Sequence, residues 1–291
     1  MIHPLHHPVS HSLTLYNGCK ISYTDEGDGP QTILFVHGLG AYNRTWIKNT
    51  EILQSHCRCI AIDLPGNGHS STGDYPYTME FFAHCLIDFI GRMKLQNVIL
   101  AGHSMGGQIV LTAAIMEPSC CERIILFSPA GFETFSAHER MMYEASLKYL
   151  SMLTSNRQAI QHLIHTSFYQ FPKDAERLES ELIRIMEHQP GQHYKTMTDR
   201  CIAAMLAEPV FKKLHTIKQP TLIFFGEKDA LIPNTLLHPG TTLRVAETGK
   251  KEFKHAKLVI LKNCGHFVQW EKASLVNAAI QTWIQEALPV S

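Results

Sequence analysis

The sequence predicts an α/β protein built on a mostly parallel sheet with helices on both faces. Three observations carry the prediction. Apolar runs at residues 32–36, 59–62, 97–101, 123–127, 221–225 and 257–261 are continuous rather than alternating, as strands covered on both faces are. Helix-like segments with apolar residues at three- and four-residue spacing fall between many of them. Strand and helix alternate almost throughout, the pattern that crossover connections impose on a parallel sheet.

Residues 11–16 and 20–25 alternate and read as two strands, followed by the turn Glu26-Gly-Asp-Gly-Pro30. After the run at 32–36 come a helix-like segment at 43–54, the run at 59–62, and a helix at 78–93. That helix places Phe81, Phe82, Cys85, Leu86, Phe89 and Ile90 at helical spacing. The run at 97–101 leads into a helix that opens near Ser104 and continues through 109–116. The later runs at 221–225 and 257–261 are each trailed by helical pattern, with 275–284 closing the chain. One block breaks the alternation. Residues 131–216 hold no buried strand-like run, only helical pattern rich in Met, His, Glu and Lys. Lying between two sheet strands, the block must leave the sheet and return. The expected division is a core of 1–130 and 217–291 with a helical cap, or lid, at 131–216. Its expected place is over the carboxyl edge of the strands, where open α/β sheets bind ligands.

Composition narrows the class of partner. Of 291 residues, 45% are hydrophobic and 18% charged, with Lys+Arg and Asp+Glu balanced at 26 each. An even balance points away from nucleic acid or an anionic membrane as partner. No run reaches the about 18 apolar residues of a membrane span, and the first ten residues lack a basic leader and an apolar stretch. The eight cysteines include no C-x-x-C pair and fall largely in apolar stretches, as small buried hydrophobes do. The expectation is a cytoplasmic protein with a small-molecule substrate, no stable membrane insertion, and no metal or organic cofactor.

The chemistry begins at Gly102-His-Ser-Met-Gly106, a G-x-S-x-G between an apolar run and a helix. A strand turning sharply into a helix strains the serine backbone and needs small neighbours, and it lifts Ser104 Oγ above the sheet edge. A serine hydroxyl needs a base. Among 18 histidines, His266 follows the last apolar run, in Asn263-Cys-Gly-His-Phe267, at the same edge of the sheet. The base needs an orienting carboxylate. Asp229, in Phe225-Gly-Glu-Lys-Asp-Ala-Leu-Ile-Pro233, stands just past another strand, and Glu133 is its nearby rival. His37-Gly-Leu-Gly40 supplies a glycine-rich loop, so the Leu39 and Met105 N–H groups are the expected oxyanion donors. His37 reads as a brace for that loop, and residues 63–70 as a rigid turn.

With these pieces in place, the chain resembles α/β-hydrolase-fold enzymes over nearly its full length. The matching segments are His37-Gly-Leu-Gly40, Asp63-Leu-Pro-Gly-Asn-Gly-His-Ser70, Gly102-His-Ser-Met-Gly-Gly107, Gly226-Glu-Lys-Asp229 and Cys264-Gly-His266. The resemblance implies an α/β-hydrolase fold and a serine hydrolase with the triad Ser104, Asp229 and His266. A serine at the elbow argues against epoxide hydrolases and dehalogenases, which place aspartate there. Ser128-Pro-Ala-Gly-Phe132 and Asn263-Cys-Gly-His266 are similar to stretches of some monoacylglycerol lipases. Phe132, Phe135 and Met141 at the start of the lid suggest an apolar pocket. Cleavage of an apolar acyl ester follows, with a monoacylglycerol-like substrate as the narrower expectation. The alternatives are carbon–carbon bond hydrolysis on the same triad and a non-catalytic ligand sensor.

Overall fold

The computed structural model describes residues 8–153, 156–189 and 191–286. Eight strands form one sheet: β1 (Ser10–Thr14), β2 (Lys20–Glu26), β3 (Thr32–Val36), β4 (Arg58–Ile62), β5 (Val98–His103), β6 (Arg123–Phe127), β7 (Thr221–Gly226) and β8 (Ala256–Leu261). Their spatial order is β1-β2-β4-β3-β5-β6-β7-β8. From β4 to β8 every pairing is parallel. β1 and β2 join as an antiparallel edge, which needs only the tight turn closed by Gly18 N–H on Leu15 O. The chain runs from β3 to β4 on one side, then crosses back to β5 on the other. The order therefore reverses between β3 and β5, and a crevice opens at their carboxyl ends.

Alternation within the strands sorts two cores. Leu34 and Val36 of β3 pack with α2 (Met79–Arg92) and α3 (Met105–Met116) on one face. Ile33 and Phe35 pack on the other face, in the layer that holds Leu53 of α1 (Ile47–Leu53) and Val276 and Ile280 of the last helix, at 273–284. α2 starts where Thr78 Oγ1 accepts the Phe81 N–H, the capping bond that fixes its first turn.

Between β6 and β7 the regular elements among the described residues are all helical: α4 (Ala137–Leu153), α5 (Asn156–Ser167), α6 (Ala175–His188), α7 (His193–Ala207) and a short 3₁₀ stretch at Phe211–Thr216. Met197, Cys201 and Ala204 of α7 join the α2/α3 core. Ile160 and Ile164 of α5 and Leu178 and Leu182 of α6 form a separate cluster with Tyr42, Ile47, Phe267 and Trp270. After β7 come α8 (Thr242–Lys251), then α9 (Val268–Glu271) and α10 (Ala273–Ile284) behind β8. All eight cysteines are buried and free. Among the described residues no helix is long and apolar enough to cross a membrane.

Candidate active site

Ser104 sits between β5 and α3 with φ 53° and ψ −119°, a conformation that costs a non-glycine residue energy and persists only when its surroundings impose it. A Cβ on Gly102 would lie 2.4 Å from Gly106 O, and one on Gly106 would lie 2.3 Å from Val36 O, so this turn closes only with glycine on both sides. Hydrogen bonds then hold it. Ser104 N–H donates to Phe127 O at 3.0 Å, while Ser104 O accepts from Gly107, Gln108 and Ala130 N–H at 2.9, 3.3 and 3.0 Å. Because a trans peptide points its C=O and N–H in opposite directions, those three bonds also aim Met105 N–H.

His266 lies in the loop between β8 and α9, 2% exposed, with Nδ1 2.8 Å from Asp229 Oδ2. Asp229 Oδ1 accepts the Leu231 and Ile232 N–H groups at 2.8 and 3.0 Å. An ionised carboxylate only accepts, so Nδ1 carries the proton in this pair and Nε2 is the basic nitrogen. The loop is braced from several sides. His266 and Phe267 N–H both donate to Ser167 O, at 2.8 and 3.0 Å, at the end of α5. His103 Nε2 donates to His266 O at 3.1 Å, and Gly265 N–H donates to Glu271 Oε1 at 2.7 Å. Burial, with the neighbouring His266 adding to it, holds His103 well below the ordinary histidine range, so it stays neutral. Glu133, the rival carboxylate, instead accepts Asn234 N–H at 3.0 Å and His238 Nδ1–H at 2.6 Å.

The loop after β3 completes the arrangement. His37 is fully buried; its Nδ1–H donates to Gly38 O at 2.8 Å and its Nε2 accepts Leu64 N–H at 3.0 Å. Burial lowers its pKa to about 4, so this brace is neutral. Ala41 N–H also reaches Gly38 O, at 3.2 Å. The Gly38–Leu39 peptide is thus fixed through its carbonyl, and Leu39 N–H points the opposite way. Neither Leu39 N–H nor Met105 N–H has a protein acceptor among the described residues. Asp63 closes the turn at 63–70, its two oxygens accepting Asn43 and His69 N–H at 2.7 and 2.9 Å.

Leu39, Ser104 and His266 line one cavity of about 210 Å³ at the β3/β5 crevice. Its walls include Ile164, Leu178 and Leu182 of α5 and α6, and Ile202, Met205 and Leu206 of α7. Among the described residues no group of His, Cys, Asp and Glu is arranged to hold a metal ion.

Residues 31–273 match the family model of the alpha/beta hydrolase fold. The chain belongs to that family. Among its relatives, this chain is 24% identical over 278 residues to the (E)-2-((N-methylformamido)methylene)succinate hydrolase of Acinetobacter baylyi, covering 95% of this chain and 98% of that protein. It is 26% identical over 245 residues to the pimeloyl-[acyl-carrier protein] methyl ester esterase of Nitrosospira multiformis, covering 82% and 89%. The solved esterase of Exiguobacterium antarcticum superposes with a TM-score of 0.81 at 21% identity, over 96% of this chain and all of that one, a likeness of fold.

Of the three apolar residues expected in the pocket, Phe135 lines the cavity and stacks on Tyr143, ring centroids 5.9 Å apart. Phe132 does not. It is 3% exposed and packs on Phe225 and Phe253, between the sheet and α8, where its ring is removed from water. Met141 does not line it either, being 62% exposed. With Tyr143 turned inward, a residue two positions earlier falls on the opposite face of α4. Sequence reasoning missed Ser167, Tyr194 and Glu271, whose contacts with the loops around the cavity join residues as much as 154 positions apart.

Proposed function

We propose that this alpha/beta hydrolase cleaves a carboxylic ester with an apolar acyl chain, through an acyl-enzyme on Ser104. One observation carries the proposal: Ser104 on its strained turn and His266 bonded to Asp229 line the same apolar cavity. As Ser104 Oγ attacks the acyl carbon, His266 Nε2 takes its proton, and Asp229 stabilises the imidazolium without being protonated. Leu39 and Met105 N–H receive the developing oxyanion, each donor worth on the order of 3 kcal/mol of barrier. Collapse expels the alcohol, which takes the proton from His266. Water, activated by the same nitrogen, then releases the acid. Residues 131–216 act as the lid, and its aliphatic walls suit an acyl chain, with a monoacylglycerol-like ester as the narrower candidate. An esterase among the relatives agrees with ester cleavage. Eight buried thiols fit a reducing cytoplasm.

The test is labelling with alkyl fluorophosphonates, read by intact mass and peptide mapping, beside a panel of p-nitrophenyl esters. Stoichiometric modification of Ser104 with ester turnover is the expected result. Labelling without ester turnover would favour carbon–carbon bond hydrolysis, and a folded protein that neither labels nor turns over would favour a sensor.

A further inference from the structure

Tyr194, the second residue of α7, donates its hydroxyl proton to the Gly40 carbonyl at 3.0 Å. That bond stands at one end of a series of peptide groups. The Gly40 carbonyl shares its peptide with Ala41 N–H, which donates to Gly38 O. The Gly38 carbonyl shares its peptide with Leu39 N–H, at the cavity. Within each planar trans unit the C=O and N–H are opposed, so a bond on the carbonyl orients the N–H behind it. Hydrogen-bonded groups in series also polarise one another. We infer that Tyr194 is a positioning residue for the oxyanion loop, setting the direction and strength of Leu39 N–H through Gly40, Ala41 and Gly38. On this view α7 belongs to the transition-state apparatus as well as to the pocket wall.

The contact is built from both sides. Gly40 has φ +62°, and a Cβ there would lie 2.2 Å from Tyr194 Oη and 3.7 Å from Thr198 Cγ2. Only glycine lets the loop approach the phenol this closely. The start of α7 is anchored beside it, where His193 Nε2 donates to Gly66 O at 3.0 Å. Burial pushes the Tyr194 phenol above its ordinary value, so the hydroxyl stays a donor across the neutral range.

The inference rests on the proposed acyl-enzyme chemistry, and Tyr194→Phe, which removes only the hydroxyl, separates the two. The readouts are kcat, KM, and affinities for a trifluoromethyl ketone, which forms a tetrahedral adduct, and for the product acid, which does not. Losing an oxyanion donor outright costs about 10²–10³-fold. Losing a residue that acts through the loop should lower kcat by about tenfold, with KM within about twofold. Ketone affinity should fall by the same factor as kcat/KM, and product-acid affinity should hold. Equal losses for both ligands, or no loss of kcat, would overturn the positioning role. Should Tyr194→Phe not fold, Gly40→Ala disturbs the same contact from the core side. A ketone-selective loss there supports the role and a uniform loss overturns it. Ser104→Ala runs alongside. If it keeps its activity, the acyl-enzyme chemistry itself fails; if it is inactive while Tyr194→Phe matches wild type, only the role of Tyr194 fails.

Discussion

The Ser104 side of the candidate site and the His266 side are held by different parts of the chain. Ser104, and the peptide that aims Met105 N–H, are fixed by Phe127, Gly107, Gln108 and Ala130, all within the sheet, α3 and the segment after β6. Asp229 is likewise held by its own neighbours, Leu231 and Ile232. The His266 peptide instead donates to Ser167, and the Gly40 carbonyl accepts from Tyr194, both residues of the helical insertion. The backbone bonds on Ser104 thus all come from the core, with Gln108 Nε2 tying that turn to Met205 O and Glu208 O, while the insertion finishes the loops that would carry the base and the second oxyanion donor. Changes in the insertion should therefore alter catalysis as well as substrate choice.

The sharpest way to break this comparison is to remove a group on each side. Ser104→Ala and His266→Ala should each lower ester turnover by about 10⁶-fold in folded protein, since nucleophile and base act as one unit. Retention of more than about a tenth of wild-type turnover by His266→Ala would place the base elsewhere. Next in size, Asp229→Asn should cost about 10⁴-fold by favouring the wrong tautomer of His266. Glu133→Gln should stay within about threefold, because its carboxylate is bonded to Asn234 and His238 rather than to His266. The opposite ranking in steady-state assays would move the acid to the segment after β6.

What the sequence could disclose follows the same divide. The β6 bounds at 123–127 and the Thr78 start of α2 were legible because a buried strand and a capped helix are local patterns. The meeting of Ser104, Asp229 and His266 at one place was legible because each follows an apolar strand, and the strand ends converge on one edge. Ser167 and Tyr194 carry no such signal. Ser167 acts through its backbone carbonyl, which any residue supplies, and Tyr194 is one aromatic near the start of an amphipathic helix. Phe132 and Met141 failed as pocket residues for a related reason. A hydrophobic residue after a strand has both the core and the pocket open to it, and helix phase decides only once one neighbour, here Tyr143, is placed.

A smaller effect distinguishes the two insertion walls of the cavity. Leu182→Ala, in α6, should flatten the acyl chain-length profile more than Leu206→Ala, in α7. The α5/α6 wall belongs to a separate apolar cluster with Tyr42, Ile47, Phe267 and Trp270, whereas Met197, Cys201 and Ala204 of α7 pack into the main core. Each extra methylene held by that wall is worth at most about 0.8 kcal/mol, or about fourfold in kcat/KM. A profile flattened by Leu206→Ala and untouched by Leu182→Ala would put the acyl chain against α7.

The smallest effect concerns how the insertion starts. His238 bridges Glu133 Oε1 at 2.6 Å and Glu139 Oε1, on α4, at 3.2 Å. Burial works against its charge, but its bonds and ion pairs with the two carboxylates outweigh that and raise its pKa. Burial raises Glu133 as well, although His238 and Asn234 N–H oppose the shift. For a histidine raised on folding, the stabilisation is fully present below the unfolded pKa of about 6.5 and is lost as pH rises through the folded value. At the acid end it is lost as Glu133 takes up a proton. The bridge should therefore contribute most between those two limits. The measurement is the Tm difference between wild type and His238→Gln across pH. It should peak on the acid side of neutrality and shrink on both sides. A difference that grew steadily with pH would mean that His238 is held neutral and that this end of the insertion is fastened by packing, including the Phe135–His238 ring contact at 5.0 Å.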